Sequence, residues 1–301
     1  MEVLIPKAID ETILTSNVPF PAAGETEWTA GTYAQGGTAY VQYTNYESLI
    51  NSNTDNPVDG EKLSPPTWLN LGGVKRYRMF DANTDTQTIN PDTIDVTFTY
   101  SGLKDTLVLF NTDANEVTVT TTSSRLTSPD VQTESGIDRS LVTGMWGYFK
   151  AARSRKRTFV FSLPPYADTT INVLIDNTGS DAKCGNMAIG YSFYLGEELK
   201  GMSPRIVNKS RYIYDAFQRR TTISKAFVRE LDVSVKYDTV QHDNIQRTLE
   251  SLVGTPTAWI GSQLYATSVI WGEASFTPEI SNTSKSDAKY VIEAPIYADA
   301  T

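Results

Sequence analysis

From Asp92 to about Gly201 the chain reads as strand after short strand, with no helical stretch between them. Thr93-Ile-Asp-Val-Thr-Phe-Thr-Tyr100 alternates polar and apolar residues strictly, which places its apolar side chains on one face of a strand. Residues 106–111 form a more continuous apolar run, and residues 116–122 alternate Val with Thr. Residues 158–163, 170–176 and 187–195 follow, each bounded by turn residues. About seven or eight strands at roughly ten-residue spacing predict a jelly-roll-like antiparallel β-sandwich over 82–203. The long interruption at 121–156 reads as an excursion from one sheet edge.

The pattern changes after Pro204. Residues 222–237 contain a long strand with Phe227, Leu231, Val233 and Val235. Residues 238–254 predict a helix with Ile245, Leu249, Leu252 and Val253 on one face, stopped by Gly254 and Pro256. Strands are expected at 257–261, 268–276 and 290–296, so 204–301 reads as a compact α+β unit. The fold class expected for the whole chain is mainly β with this C-terminal α+β unit.

Ahead of the sandwich lies an aromatic stretch from Trp28 to Asp81. Seven Trp and Tyr residues, at 28, 33, 40, 43, 46, 68 and 77, stand among glycines, prolines and small polar residues. A segment this short is not expected to bury so many rings in a core of its own. Flat rings left partly exposed on a small β scaffold suit stacking against sugars or against another protein. Residues 28–81 are therefore read as a small β module, preceded over 1–27 by an N-terminal arm or linker that includes a short apolar strand, Val3-Leu-Ile5.

The spacing resembles a known family. Trp28, Tyr33, Gly36, Tyr46-Glu-Ser48 and a later Pro and Trp68 are similar to the small chitin- and cellulose-binding modules. Those modules occur in secreted polysaccharide hydrolases and, repeatedly, in bacteriophage tail proteins. The phage versions continue past the closing Trp into Leu-Gly and a basic-aromatic run ending in Phe-Asp. Here that extension reads Trp68-Leu-Asn-Leu71-Gly72-Gly-Val-Lys75-Arg76-Tyr77-Arg78-Met79-Phe80-Asp81. The chain departs from the pattern at Ala39, where Val or Ile is usual, and lacks a glycine in the hairpin turn before Tyr46.

The resemblance implies a structural component of a bacteriophage tail, in the baseplate, tail tip or an adaptor. It implies other virion tail proteins as partners and a homo-oligomer, a trimer or hexamer ring, around the tail axis. It further implies contact with cell-surface polysaccharide, for which Trp28, Tyr46 and Trp68 are the platform candidates. The rival reading is a carbohydrate-binding protein or accessory module of a polysaccharide-degrading system, which normally needs an export signal.

Composition narrows the alternatives. A net charge of −9 argues against a dedicated nucleic-acid binder, because neutralising phosphates needs concentrated Lys and Arg. One Cys, Cys184, leaves no disulfide framework, and one His, His242, read as an exposed first-turn residue, leaves little for imidazole or metal chemistry. The segment Met1-Glu-Val-Leu-Ile-Pro6-Lys lacks the features of a secretory signal, and no run approaches the length of a membrane helix. These observations lead to an expectation of a protein made in the host cytoplasm and carried in the virion. No nucleophile elbow, phosphate loop, dinucleotide fingerprint or zinc-binding helix is present, and the acids cluster in turns apart from Glu273. The chain is therefore expected to be no enzyme and to use no cofactor or metal.

Two further segments stand out. Trp146, Tyr148 and Phe149 precede Lys150, Arg153, Arg155, Lys156 and Arg157, a basic run in an acidic chain. Rings beside dense positive charge are expected at an intersubunit contact, the alternative being a solvated loop. Arg211-Tyr-Ile-Tyr214-Asp-Ala-Phe217-Gln-Arg219-Arg220 likewise reads as an interdomain or intersubunit contact.

Overall fold

The fold is seen in a computed structural model that describes residues 1–83, 86–138, 145, 154–199, 202–208, 210–214, 217–223, 227–262, 266–279 and 284–293. The chain is mainly β, with a small helix-containing region towards its C-terminal end. A five-stranded antiparallel sheet runs, in spatial order, Leu14–Ser16, Thr88–Thr99, Thr169–Cys184, Glu116–Ser123 and Asp130–Ser135. A ten-stranded sheet starts with Phe159–Ser162, Thr106–Phe110 and Asn186–Tyr194. It continues through Glu2–Pro6 into Thr257–Ile260, Val269–Glu279, Lys285–Glu293 and Phe227–Asp238. The short strands Glu197–Glu198 and Ser203–Asn208 both pair with Phe227–Asp238.

Alternation decides which residues build the core. Ile94, Val96 and Phe98 from one strand and Ile171, Val173 and Ile175 from its partner are fully buried. They share a cluster with Leu107, Leu109, Phe159, Phe161 and Met187 from the long sheet. In Thr106–Phe110 the residues between, Val108 and Phe110, pack instead with Leu4, Ala258 and Trp271. A strand covered on both faces explains why its apolar run is unbroken.

The expected N-terminal arm is a correction. Residues 2–6 form a strand inside the chain's own sheet, where Val3 pairs with Phe193 on one side and Trp259 on the other. Val3 and Leu4 are both fully buried, in different cores, so neither face of this strand is spare. Gly190 makes the pairing possible, since a Cβ there would lie 2.0 Å from the Ile5 carbonyl oxygen. One sheet thus spans segments read as separate units on either side of 203–204.

The expected strand over 222–237 is two elements, Arg220–Ile223 and Phe227–Asp238. The helix is His242–Ser251, entered through a 3-10 turn at Thr239–Gln241 whose Val240 amide donates to the Asp238 side chain. Ile245 and Leu252 reach the core as expected, but Val253 is 80 % exposed, because the helix ends before that residue can face inward. His242 is half-buried rather than exposed, with Nδ1 2.9 Å from the Tyr237 hydroxyl and its ring stacked on Tyr237.

Candidate functional site

A three-stranded sheet of Thr38–Val41, Thr44–Ser48 and Trp68–Gly73 carries the aromatic module. Its small core is Ala39, Tyr46 and Trp68, with Trp28, Tyr33, Val41 and Val58 packed against it. Trp68 is 1 % exposed and Tyr46 5 %. Tyr33 meets the Trp68 ring edge-on, and Trp68 Nε1 donates to the Asp55 carbonyl at 3.0 Å. A sugar platform must offer a free ring face, and Tyr46 and Trp68 have none. They are core residues, which corrects their assignment as glycan contacts. Trp28 is half-buried against them.

The loop that closes over Trp68 is itself ordered by polar contacts. Asn53 is buried, donating from Nδ2 to the Ser48 hydroxyl and the Thr67 carbonyl while its Oδ1 accepts from the Asp55 amide. A one-turn helix, Pro57–Gly60, follows its Asn56 cap. Gly60 ends it against the Trp68 ring, where a Cβ would come within 2.5 Å of Trp68 Cδ1.

The remaining rings leave the module. Tyr40 and Tyr77 are buried in the core shared by the two large sheets, and Phe20, Tyr43 and Phe80 pack onto it. Tyr43 and Tyr77 stack with centroids 4.0 Å apart, and Phe20 touches both. None of the seven rings is exposed. The expectation of exposed rings fails because they are shared between two cores rather than crowded into one.

Phe80 and Asp81, the end of the phage-like extension, fasten the module to the rest. Asp81 Oδ2 accepts from the Gly73 amide and the Thr86 hydroxyl, and Oδ1 accepts from the Asn83 amide. The Asp81 carbonyl accepts from Asn186 Nδ2 at 2.7 Å, and the next carbonyl, Ala82, accepts from Trp271 Nε1 at 3.1 Å. Three structural parts meet at two consecutive peptides. Beside them lies an open groove of about 400 Å³ lined by Lys7, Ile9, Phe80, Met187 and Trp271 among others.

No protein-family model and no curated protein matches this chain.

The chemistry within reach is limited. Cys184 is buried, and that burial pushes its thiol up to about 12, so it carries no thiolate at neutral pH. Among the described residues no group of three His, Cys, Asp or Glu side chains could hold a metal ion. No described helix is long and apolar enough to cross a membrane.

Of the expected basic contact, Trp146, Tyr148, Phe149 and Arg153 lie outside the described residues. Arg155 is committed within the chain, its guanidinium 2.5 Å from Asp113 and 3.0 Å from Asn177 Oδ1. Lys156 pairs with Glu134 and sits 5.0 Å over the Phe159 ring. Arg157 is exposed, and its carbonyl accepts from the Thr112 amide. The docking role expected of Arg155 is therefore corrected to an internal ion pair.

The exposed rings are elsewhere. Arg211–Tyr214 and Arg220–Ile223 form an antiparallel two-stranded ribbon in which every residue is exposed. Register puts Tyr212, Tyr214, Arg220 and Thr222 on one face and Arg211, Ile213, Thr221 and Ile223 on the other. The Arg220 guanidinium lies 3.9 Å over the Tyr212 ring, Tyr214 is 61 % exposed, and Phe217 between the strands is 80 % exposed. The ribbon lies in the connection between the paired strands Ser203–Asn208 and Phe227–Asp238, the first of which also leaves Ile206 70 % exposed. The ring-and-arginine content of 211–220 marks this segment in the sequence. Ile206 and Ile223 carried no such signal, since lone aliphatics in strands usually face a core.

Proposed function

We propose that this chain is a structural component of a bacteriophage tail, an assembly protein of the baseplate, tip or an adaptor, carried in the virion and without enzymatic activity. The observation that carries the assembly role is the ribbon at 211–223. A lone two-stranded ribbon has no core of its own and is marginal in water. This one exposes apolar or aromatic side chains on both faces, the composition that protein interfaces favour. Support for a tail in particular comes from the resemblance of Trp28–Asp81, whose Phe80-Asp81 ending serves here as a junction between parts. On this reading the two facing sheets are a jelly-roll-like sandwich that acts as a rigid frame, with other tail proteins and further copies as partners. Neither a cofactor nor nucleic acid has a part in it.

The test is peptide mass spectrometry and antibody labelling of purified virions from the phage that encodes the chain. Stoichiometric presence with label at the tail is expected. Absence from virions, with the protein free in the lysate, overturns the proposal.

A further inference from the structure

The ribbon's chemistry narrows what can cover it. Residues 203–223 carry five Lys and Arg against one Asp, inside a chain whose net charge is −9. The hairpin itself, 211–223, carries three Arg against one Asp and is net positive.

A complementary surface lies on the outer face of the long sheet. Register aligns Glu273, Glu293 and Glu230 directly across three neighbouring strands, and Arg205 follows on the fourth. Directly opposed like charges in a sheet are unfavourable. Arg205 ion-pairs with Glu230, the buried member of the row, and is more weakly attracted to Asp232 and Glu293. Glu273 and Glu293 are exposed and make no ion pair among the described residues. In the neighbouring row Asp232 holds a buried carboxylate oxygen with no hydrogen-bond partner. The row therefore has room for further cations, and the ribbon supplies guanidiniums already braced by rings, Arg220 over Tyr212 and Arg219 5.9 Å from Phe217.

We propose that the occupant of the ribbon is a second copy of this chain, with the Arg219–Arg220 end of one copy seated on the Glu273–Glu293 row of the next. Both halves are on every copy but differ from each other, so the contact is head-to-tail. Repeated head-to-tail contacts close into a ring when the rotation permits. This inference rests on the assembly role proposed above and names its partner.

The experiment uses the full chain, with mass in solution measured by sedimentation at several salt concentrations. Arg219→Glu with Arg220→Glu reverses the ribbon, and Glu273→Lys with Glu293→Lys reverses the row. The wild-type chain is expected to self-associate, and either pair to weaken this by at least about tenfold in a salt-dependent way. Mixing the two reversed chains matches both contacts, the acidic ribbon of one on the basic row of the other and the native ribbon on the native row, so alternating co-association is expected. All four changes in one chain should restore self-association. Circular dichroism establishes that each variant is folded, and the milder Glu293→Gln and Arg220→Gln replace any that is not. A single-chain wild type at high concentration, or association indifferent to both reversals, overturns the inference. If that single chain still joins purified tail proteins through the ribbon, the assembly role stands and only the second copy falls.

Discussion

Tyr43 and Tyr77 stack face to face with ring centroids 4.0 Å apart and planes inclined by 23°. Tyr43 belongs to the turn between two strands of the small sheet, whereas Tyr77 is 3 % exposed within the core of the two large sheets. The pair makes the module and that core share packing. Tyr77→Ala should therefore cost about 3–5 kcal/mol, the usual range for truncating a buried ring. Because the core is shared, denaturant unfolding followed by tryptophan fluorescence and by circular dichroism should shift together. A variant in which the Trp signal stays at the wild-type midpoint would separate the two cores.

Trp68→Ala removes a ring that is almost wholly buried and breaks its hydrogen bond to Asp55. A loss of about 3–5 kcal/mol is expected here also, whereas Trp28→Ala, at a half-buried ring, should cost less. Thermal denaturation of both variants checks the ranking. Equal stability of the Trp68 variant and wild type, with selective loss of binding on a glycan array, would restore Trp68 as a platform.

The strand at 93–100 was legible because one of its faces is buried, so alternation survives in the sequence. Thr106–Phe110 was legible for the opposite reason, being covered on both sides. Val3-Leu-Ile5 was legible as a short strand but its place in the sheet was not, since its partners lie near residues 190 and 260. Pairing over such separations leaves no local pattern. The rings at 40, 43 and 77 misled for a related reason: spacing shows that they cluster along the chain, not that another core lies beneath them. The clustering of rings beside arginines at 211–220 was visible in the sequence, and the structure leaves those side chains exposed. The row formed by Glu230, Glu273 and Glu293 was not, as it exists only through register between distant strands.

Asp168 provides a pH test. Hydrogen bonds from Ser124 and Ser123 hold its carboxyl below the ordinary carboxylate range, with Arg125 adding a smaller pull. A carboxylate whose folded pKa is depressed contributes stability above its unfolded pKa and loses it as pH falls through the folded value. Wild-type stability should therefore decline in the acid range, and Asp168→Asn should flatten part of that decline. Chemical denaturation between about pH 2 and 6 measures it. An unchanged slope in the variant would assign the acid sensitivity to other carboxylates.

Gly190 stands where Asn186–Tyr194 meets Glu2–Pro6, paired with Pro6 and followed in the same ladder by Tyr191 against Ile5. A Cβ at this position would sit 2.0 Å from the Ile5 carbonyl oxygen and 3.2 Å from the Pro6 Cα. Both obstacles are backbone, so Gly190→Ala can be accommodated only by moving strand 2–6 away from its neighbour. The same strand pairs with Thr257–Ile260, so the displacement should reach the C-terminal strands. A loss of about 1–3 kcal/mol is expected, typical of overpacking at a tight site. Hydrogen exchange gives the distinguishing measurement. Amides of 2–6 and 257–260 should exchange faster in the variant, while those of 93–99 and 170–175 in the five-stranded sheet keep their protection. Uniform acceleration across both sheets would mean that Gly190 supports both large sheets rather than this junction.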